Sequence, residues 1–157
     1  MNKILIAILF SLISIFANAQ KGTSEYLETH CGIFPIMLND LLTKNIKILT
    51  PIGKAEENNI LCQLDEDYCL INTANLLSVN IRFINKKATN ILFFVNPVFK
   101  MDCLNELEKM YGKSKKDGDK YTWESKNYML VYDLNPSDYP GKSLGIFFRK
   151  IDLGKSK

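Results

Sequence analysis

Four cysteines and one histidine are the only thiols and the only imidazole in these 157 residues. His30 stands next to Cys31. A Cys–His nucleophile pair needs its two side chains within hydrogen-bond reach. Neighbours on a helix point about 100° apart. Adjacency therefore argues for a structural cysteine beside a partly exposed histidine. A Ser-His-Asp arrangement would have His30 as its one possible base.

Cys31, Cys62, Cys69 and Cys103 are separated by 30, 6 and 33 residues. Structural zinc sites draw on closely spaced pairs such as Cys-x-x-Cys, and none occurs here, so no metal is expected. An even count instead reads as two disulfides if the protein is exported. Of the three possible pairings, Cys62–Cys69 with Cys31–Cys103 is favoured. The short gap suits a turn closure, and the long bridge would tie the N-terminal segment to a helix further on.

The carboxylates offer less. Asp65, Glu66 and Asp67 are consecutive, and consecutive loop residues diverge instead of forming a coordination shell. The Asp-x-Asp-x-Asp-Gly calcium pattern is absent. Lys113, Lys115, Lys116 and Lys120 make a basic turn that Asp117 and Asp119 dilute. No Gly-rich phosphate loop is present, and no cofactor is implied. A hydrolase would have to assemble its acid and base from scattered groups such as Glu66, Asp67 and Glu124.

Aromatic side chains are the remaining resource. Tyr121 and Trp123 share one strand face, Tyr128 and Tyr132 share another, and Tyr139 lies on the following loop. Antiparallel pairing can set such residues side by side. Turned away from the core they form a platform for a protein, peptide or glycan; turned inward they are core.

The elements that must position these residues follow from hydrophobic pattern. Residues 24–31 and 36–44 read as short N-terminal helices, Ser24 capping the first, and residues 54–63 as one or two helical turns. Val79, Ile81 and Phe83 alternate with polar residues, and Ile91 to Val95 is apolar on both faces, so two strands lie within 78–96. Cys103, Leu104, Leu107, Met110 and Tyr111 fall on one face of a helix over 101–111, with Gly112 placed to end it. Strands follow at 121–123, 128–133 and 144–149. The fold expected is α+β. An antiparallel sheet of about five strands is built from 78–96 and 120–150, with one crossing helix between strands two and three. Leu104, Leu107 and Tyr111 are expected to bury against Phe83, Phe93 and Val131.

The first nineteen residues supply an address. Met1-Asn2-Lys3 is followed by an apolar run from Ile4 to Phe16. Ala17-Asn18-Ala19 then offers small residues at the −3 and −1 positions of a cleavage site. This is the layout of a secretory signal peptide, and the run is shorter than the ~20 residues that span a bilayer. The ending Ala-Asn-Ala-Gln resembles those of Gram-negative exported proteins, which implies the periplasm or beyond. Residues 20–157 are then one disulfide-braced domain, not membrane-spanning. It has nineteen basic and seventeen acidic residues, too balanced for a nucleic-acid binder. Leu107-x-x-x-Tyr111-Gly112-Lys113 followed by Tyr121-x-Trp123 also resembles a pattern in small exported bacterial domains. With little catalytic equipment, the reading is an exported non-enzymatic binding module. A small periplasmic hydrolase or an envelope-assembly accessory protein is the alternative.

Exported material should begin at Gln20. Intact mass of the secreted protein checks this, and a product retaining Met1 in the membrane fraction contradicts it.

Overall fold

The computed structural model describes residues 25–52 and 58–150. The leader with its cleavage site, Ser24, residues 53–57 and the tail from 151 lie outside the described residues.

The described chain is mostly β. Residues 25–29 form a helical turn, α1. Two hairpins of two-residue strands stand apart: β1 (Gly32–Ile33) with β2 (Ile36–Met37), and β5 (Leu70–Ile71) with β6 (Ala74–Asn75). The other strands are β3 (Leu49–Pro51), β4 (Asn59–Leu64), β7 (Ser78–Ile84), β8 (Lys87–Val95), β9 (Lys115–Asp117), β10 (Lys120–Glu124), β11 (Tyr128–Asp133) and β12 (Ser143–Arg149). They form one eight-stranded antiparallel sheet in the order β3-β4-β7-β8-β12-β11-β10-β9. After β8 a 3₁₀ turn, Pro97–Phe99, runs into α2 (Lys100–Tyr111), which carries the chain to the far edge at β9. The chain then meanders back until β12 closes against β8.

The expectation of an α+β fold with about five strands and a crossing helix is corrected by this sheet. The missing strands lie where pattern misleads. The expected helix over 36–44 is β2 followed by the 3₁₀ turn Leu42–Lys44. The expected helical turns at 54–63 are β4 over their described part. Ile60, Leu61, Cys62 and Leu64 form a short apolar run, which periodicity alone does not assign to helix or strand. β9 has no apolar residue at all. It is a strand because the tight turn at Gly118 (φ 57°) folds it onto β10. Lys116 then lies over the Tyr121 ring, 5.3 Å from its centre.

One face of the sheet is the core. Cys62, Ile81, Ile91, Phe147, Leu130 and Trp123 are paired in register across six strands, and all are buried. The adjacent row is Val79, Phe93, Gly145, Tyr132 and Tyr121. Gly145 is the gap in that row: a Cβ there would come within 1.8 Å of the Phe93 ring. The Phe93 and Tyr132 rings stack at 6.0 Å because β12 supplies no side chain between them.

Helix α2 covers this face with Cys103, Leu104, Leu107 and Tyr111. Leu130 and Tyr132 face inward, so Val131 points outward. There it lies in a half-buried row with Leu92 and Ile146. The expected packing of Val131 beneath the helix is therefore corrected by one residue of register, which flips the side chain to the other face.

Leu107→Ala, at a fully buried position, should cost about 2–5 kcal/mol. Gly145→Ala should destabilise by about 1–3 kcal/mol or more, because the new methyl must displace a ring. Urea denaturation of both variants checks these values.

Candidate functional site

The sequence candidates are not brought together into one surface. Tyr121, Trp123 and Tyr132 are 8%, 4% and 0% exposed. Their polar atoms hold the fold: Trp123 Nε1 donates to the Gly112 carbonyl at 2.7 Å, and the Tyr132 hydroxyl donates to the Lys100 carbonyl at 3.0 Å. Tyr128 is half-buried at the core edge, and its hydroxyl accepts from Asn39 Nδ2. Tyr139 lies on the opposite sheet face, edge-on to Phe94 at 5.1 Å. The inward face is thus the one that four of the five aromatics occupy, Tyr128 at its half-buried rim.

All four cysteines are free thiols, and all are buried. Neither Cys62–Cys69 nor Cys31–Cys103 is a disulfide here. The Cys69 thiol turns to the Asp65 carbonyl at 3.6 Å, inside the turn that joins β4 to β5. Cys31 lies near Tyr111 at the end of α2, and Cys103 lies beside Tyr132 near its start. Cys103 and Tyr111 are eight positions apart on the helix, about 12 Å of rise, so the two thiols meet different parts of α2. Burial raises every thiol, Cys31 furthest, and pushes Cys103 up to about 12. These sulfurs are poor nucleophiles.

The carboxylates are dispersed. Asp65, Glu66 and Asp67 are exposed around the 3₁₀ turn Glu66–Tyr68. Glu124 is held below the usual carboxylate range by its hydrogen bond to Lys150, with Lys115 adding to it. Among the described residues no group of three His, Cys, Asp or Glu side chains could hold a metal ion. The run Gly141-Lys142-Ser143-Leu144-Gly145 has the Gly-x-Ser-x-Gly spacing of a nucleophile elbow. Its serine is fully buried at the start of an antiparallel strand, and Ser143 Oγ donates to the Leu134 carbonyl at 2.9 Å. The motif here is structural.

A cleft of about 230 Å³ opens beyond the last turn of α2. Its walls are α1, the two small hairpins and the helix end, and Phe147 of β12 also lines it. Tyr26 and His30 stack on one another at 4.1 Å, nearly parallel. The Tyr111 hydroxyl donates to the His30 carbonyl at 2.9 Å, which ties α1 to α2. On the β1–β2 hairpin Gly32 has no room for a side chain, since a Cβ would lie 2.3 Å from the Ile36 carbonyl oxygen. That close approach sets Phe34 at the hairpin tip, where it is 74% exposed. Leu70 at 43% and Tyr26 at 38% are further exposed apolar lining. None of the cleft's lining residues is Asp, Glu, Lys or Arg.

Two other hollows differ in chemistry. One of about 360 Å³ is lined by Asp102, Glu106 and Lys109 among others. Glu106 there is already held ionised by hydrogen bonds from Lys109 and Asn72. The other, of about 330 Å³, carries Lys113, Lys115, Lys150 and Glu124. Clefts that bind small groups are mostly apolar with a few placed polar atoms, and only the cleft at the helix end fits that description among these three.

Sequence reasoning missed Phe34 and Leu70. A signal was present in Ile33-Phe34-Pro35, where a large aromatic occupies a turn position that ordinarily takes a polar residue. No protein-family model matches the chain, and no curated protein or solved structure matches it. Among the described residues no helix is long and apolar enough to cross a membrane.

Thiol titration without reductant should find the native protein unreactive and four thiols after unfolding in guanidinium. A smaller count after unfolding would reveal disulfides in the isolated protein.

Proposed function

We propose that the chain is an exported, non-enzymatic binding module that holds a protein, peptide or glycan partner at the cleft walled by Tyr26, Phe34 and Leu70. The supporting observation is an uncharged hollow lined by three exposed apolar side chains. Exposed apolar groups around a concavity mark interaction sites. Export rests on the leader residues alone.

The hydrolase alternative has less behind it. A general acid at neutral pH needs a raised pKa, whereas Glu124 is paired with two lysines and lowered. Glu66 and Asp67 line none of the three hollows described above. An envelope-assembly role shares the cleft and the same test.

Phe34 lies at a hairpin tip and carries little of the core. Phe34→Ala should therefore change stability by no more than about 0.5 kcal/mol, while a photo-crosslinker placed at Leu70 loses its envelope partner. Equal crosslinking in the variant and the parent would count against the cleft. A hydrolase activity of the purified protein abolished by Glu124→Gln would overturn the binding reading.

A further inference from the structure

Where an antiparallel sheet meets water, polar residues alternate with buried ones along each strand. The sheet face turned away from α2 departs from this on its three middle strands. The central row there is Asn80, Leu92, Ile146, Val131 and Thr122, in register from β7 to β10. One row along, Phe148 and Met129 are again apolar, and the row ends in Glu124 on β10. One row the other way, Leu144 and Phe94 are apolar, and the row ends in Lys120. Over these rows the outward residues of β8, β12 and β11 are mostly apolar, and those of β7 and β10 are all polar. An apolar centre inside a polar rim is the anatomy of an interface.

The two ends of this face differ in relief. At the Leu144 end the loop 135–142 rises over it: Tyr139 stands edge-on to Phe94, and Lys142 lies over the same ring at 5.5 Å. Under the loop is a hollow of about 230 Å³, floored by Val131, Leu144 and Ile146 and walled by Tyr139. A dry cavity of about 150 Å³ holds benzene, so this hollow has room for a phenylalanine ring. At the other end of β12 stands Phe148, half-buried and facing outward. The face thus carries a hole at one end and a knob at the other, on either side of Ile146. Glu124 and Lys120 lie on either side of Thr122 in the same way. A two-fold axis crossing the strands at Ile146 therefore sets Phe148 of each copy over the hollow of the other, and Glu124 of each over Lys120 of the other. An axis along β12 would instead drive the two raised loops into one another.

We propose that the outward sheet face pairs two copies of this chain across a two-fold axis at Ile146, the Phe148 ring of each seated beside Tyr139 of the other. Knob and hole, and the two opposite charges, are balanced about one point of one surface. An isologous contact requires that balance, and an unrelated partner does not. Sheets pack face to face about 10 Å apart with strand directions within about 30°, which this axis permits. Five strands about 4.8 Å apart and three side-chain rows about 6.8 Å apart give each copy a footprint of about 490 Å². The pair then covers about 1,000 Å², the lower end of specific interfaces, which suits weak micromolar pairing. Within its own chain Glu124 already meets Lys150 at 3.0 Å and Lys115 at 3.6 Å, and Lys120 meets Asp133 at 3.8 Å. The contact joins these into a network, in which exposed pairs count for more than they do singly. The cleft at the helix end is on the other side of the sheet, so pairing leaves both clefts open.

The test is sedimentation equilibrium of the mature protein over a concentration series. A monomer–dimer equilibrium is expected, and a protein still monomeric at about 200 µM overturns the proposal. Phe148→Ala should weaken the dimer about tenfold or more, because the ring is lost from both halves of the contact. Ile146→Lys should abolish it, because two ammonium groups then meet on the axis. Far-UV circular dichroism and protection of the buried thiols establish that each variant is folded. A folded Ile146→Lys variant that still dimerises overturns the surface. Crosslinking fixes the axis and does not depend on those two variants folding. The native cysteines are buried, so new cysteines at rim positions are the reactive ones. A short bis-maleimide should join a Glu124→Cys copy to a Lys120→Cys copy several-fold more efficiently than it joins two Glu124→Cys copies. Equal yields, or no crosslink in a dimer, overturn the arrangement about Ile146.

Discussion

At Gly145 on β12 there is no room for a side chain, and much of the structure depends on that. Gly145 sits between Phe93 and Tyr132, and the two rings stack across it. The stack holds Tyr132 where its hydroxyl reaches the Lys100 carbonyl at the start of α2. Trp123, two strands over in the sheet, reaches the Gly112 carbonyl just past the helix end. A helix carries unsatisfied carbonyls at its C-terminus, and here an indole N–H helps to satisfy them. The helix is thus anchored at both ends by donors rooted in the sheet.

That anchoring reaches the cleft. With its C-terminal turn held in place, α2 presents Tyr111 to α1 and sets Met110 and Tyr111 into the cleft wall. The small hairpins supply the opposite side. Gly32 lets β1 and β2 approach closely enough that Phe34 projects at the tip. The exposed aromatic and the buried one therefore answer different demands: among the described residues nothing covers Phe34 at its hairpin tip, whereas Trp123 sits on the core face of the sheet against the end of α2.

Groups that look reactive by type are made structural by burial. The four thiols are removed from solvent and their ionisation suppressed, which takes them out of nucleophilic and metal chemistry. Ser143 shares this fate within a motif that on other folds carries a nucleophile, because here the serine begins a central antiparallel strand instead of a strand-to-helix turn. The cleft at the helix end is lined instead by one histidine, one asparagine and a set of apolar side chains.

The second half of the chain was largely legible before folding, since its elements bury one face each and write the burial period into the residues. Val79, Ile81 and Phe83 alternate, and Leu104, Leu107 and Tyr111 recur at helical spacing. The first half was not. Most of its strands are two or three residues long, too short to show a period, and β4 is a six-residue apolar run that fits helix or strand; in the second half β9, charged throughout, was equally hidden. Such strands exist because a neighbour offers unpaired backbone groups, which is a tertiary fact. The same division holds for the site. Residue type alone determined that little acid–base or metal chemistry was at hand and that aromatics were the remaining resource. Which aromatics face solvent, whether the cysteines meet, and where an uncharged hollow opens were decided by the tertiary structure. Each depends on which face of an element another element covers, and a one-residue shift such as that at Val131 reverses the answer.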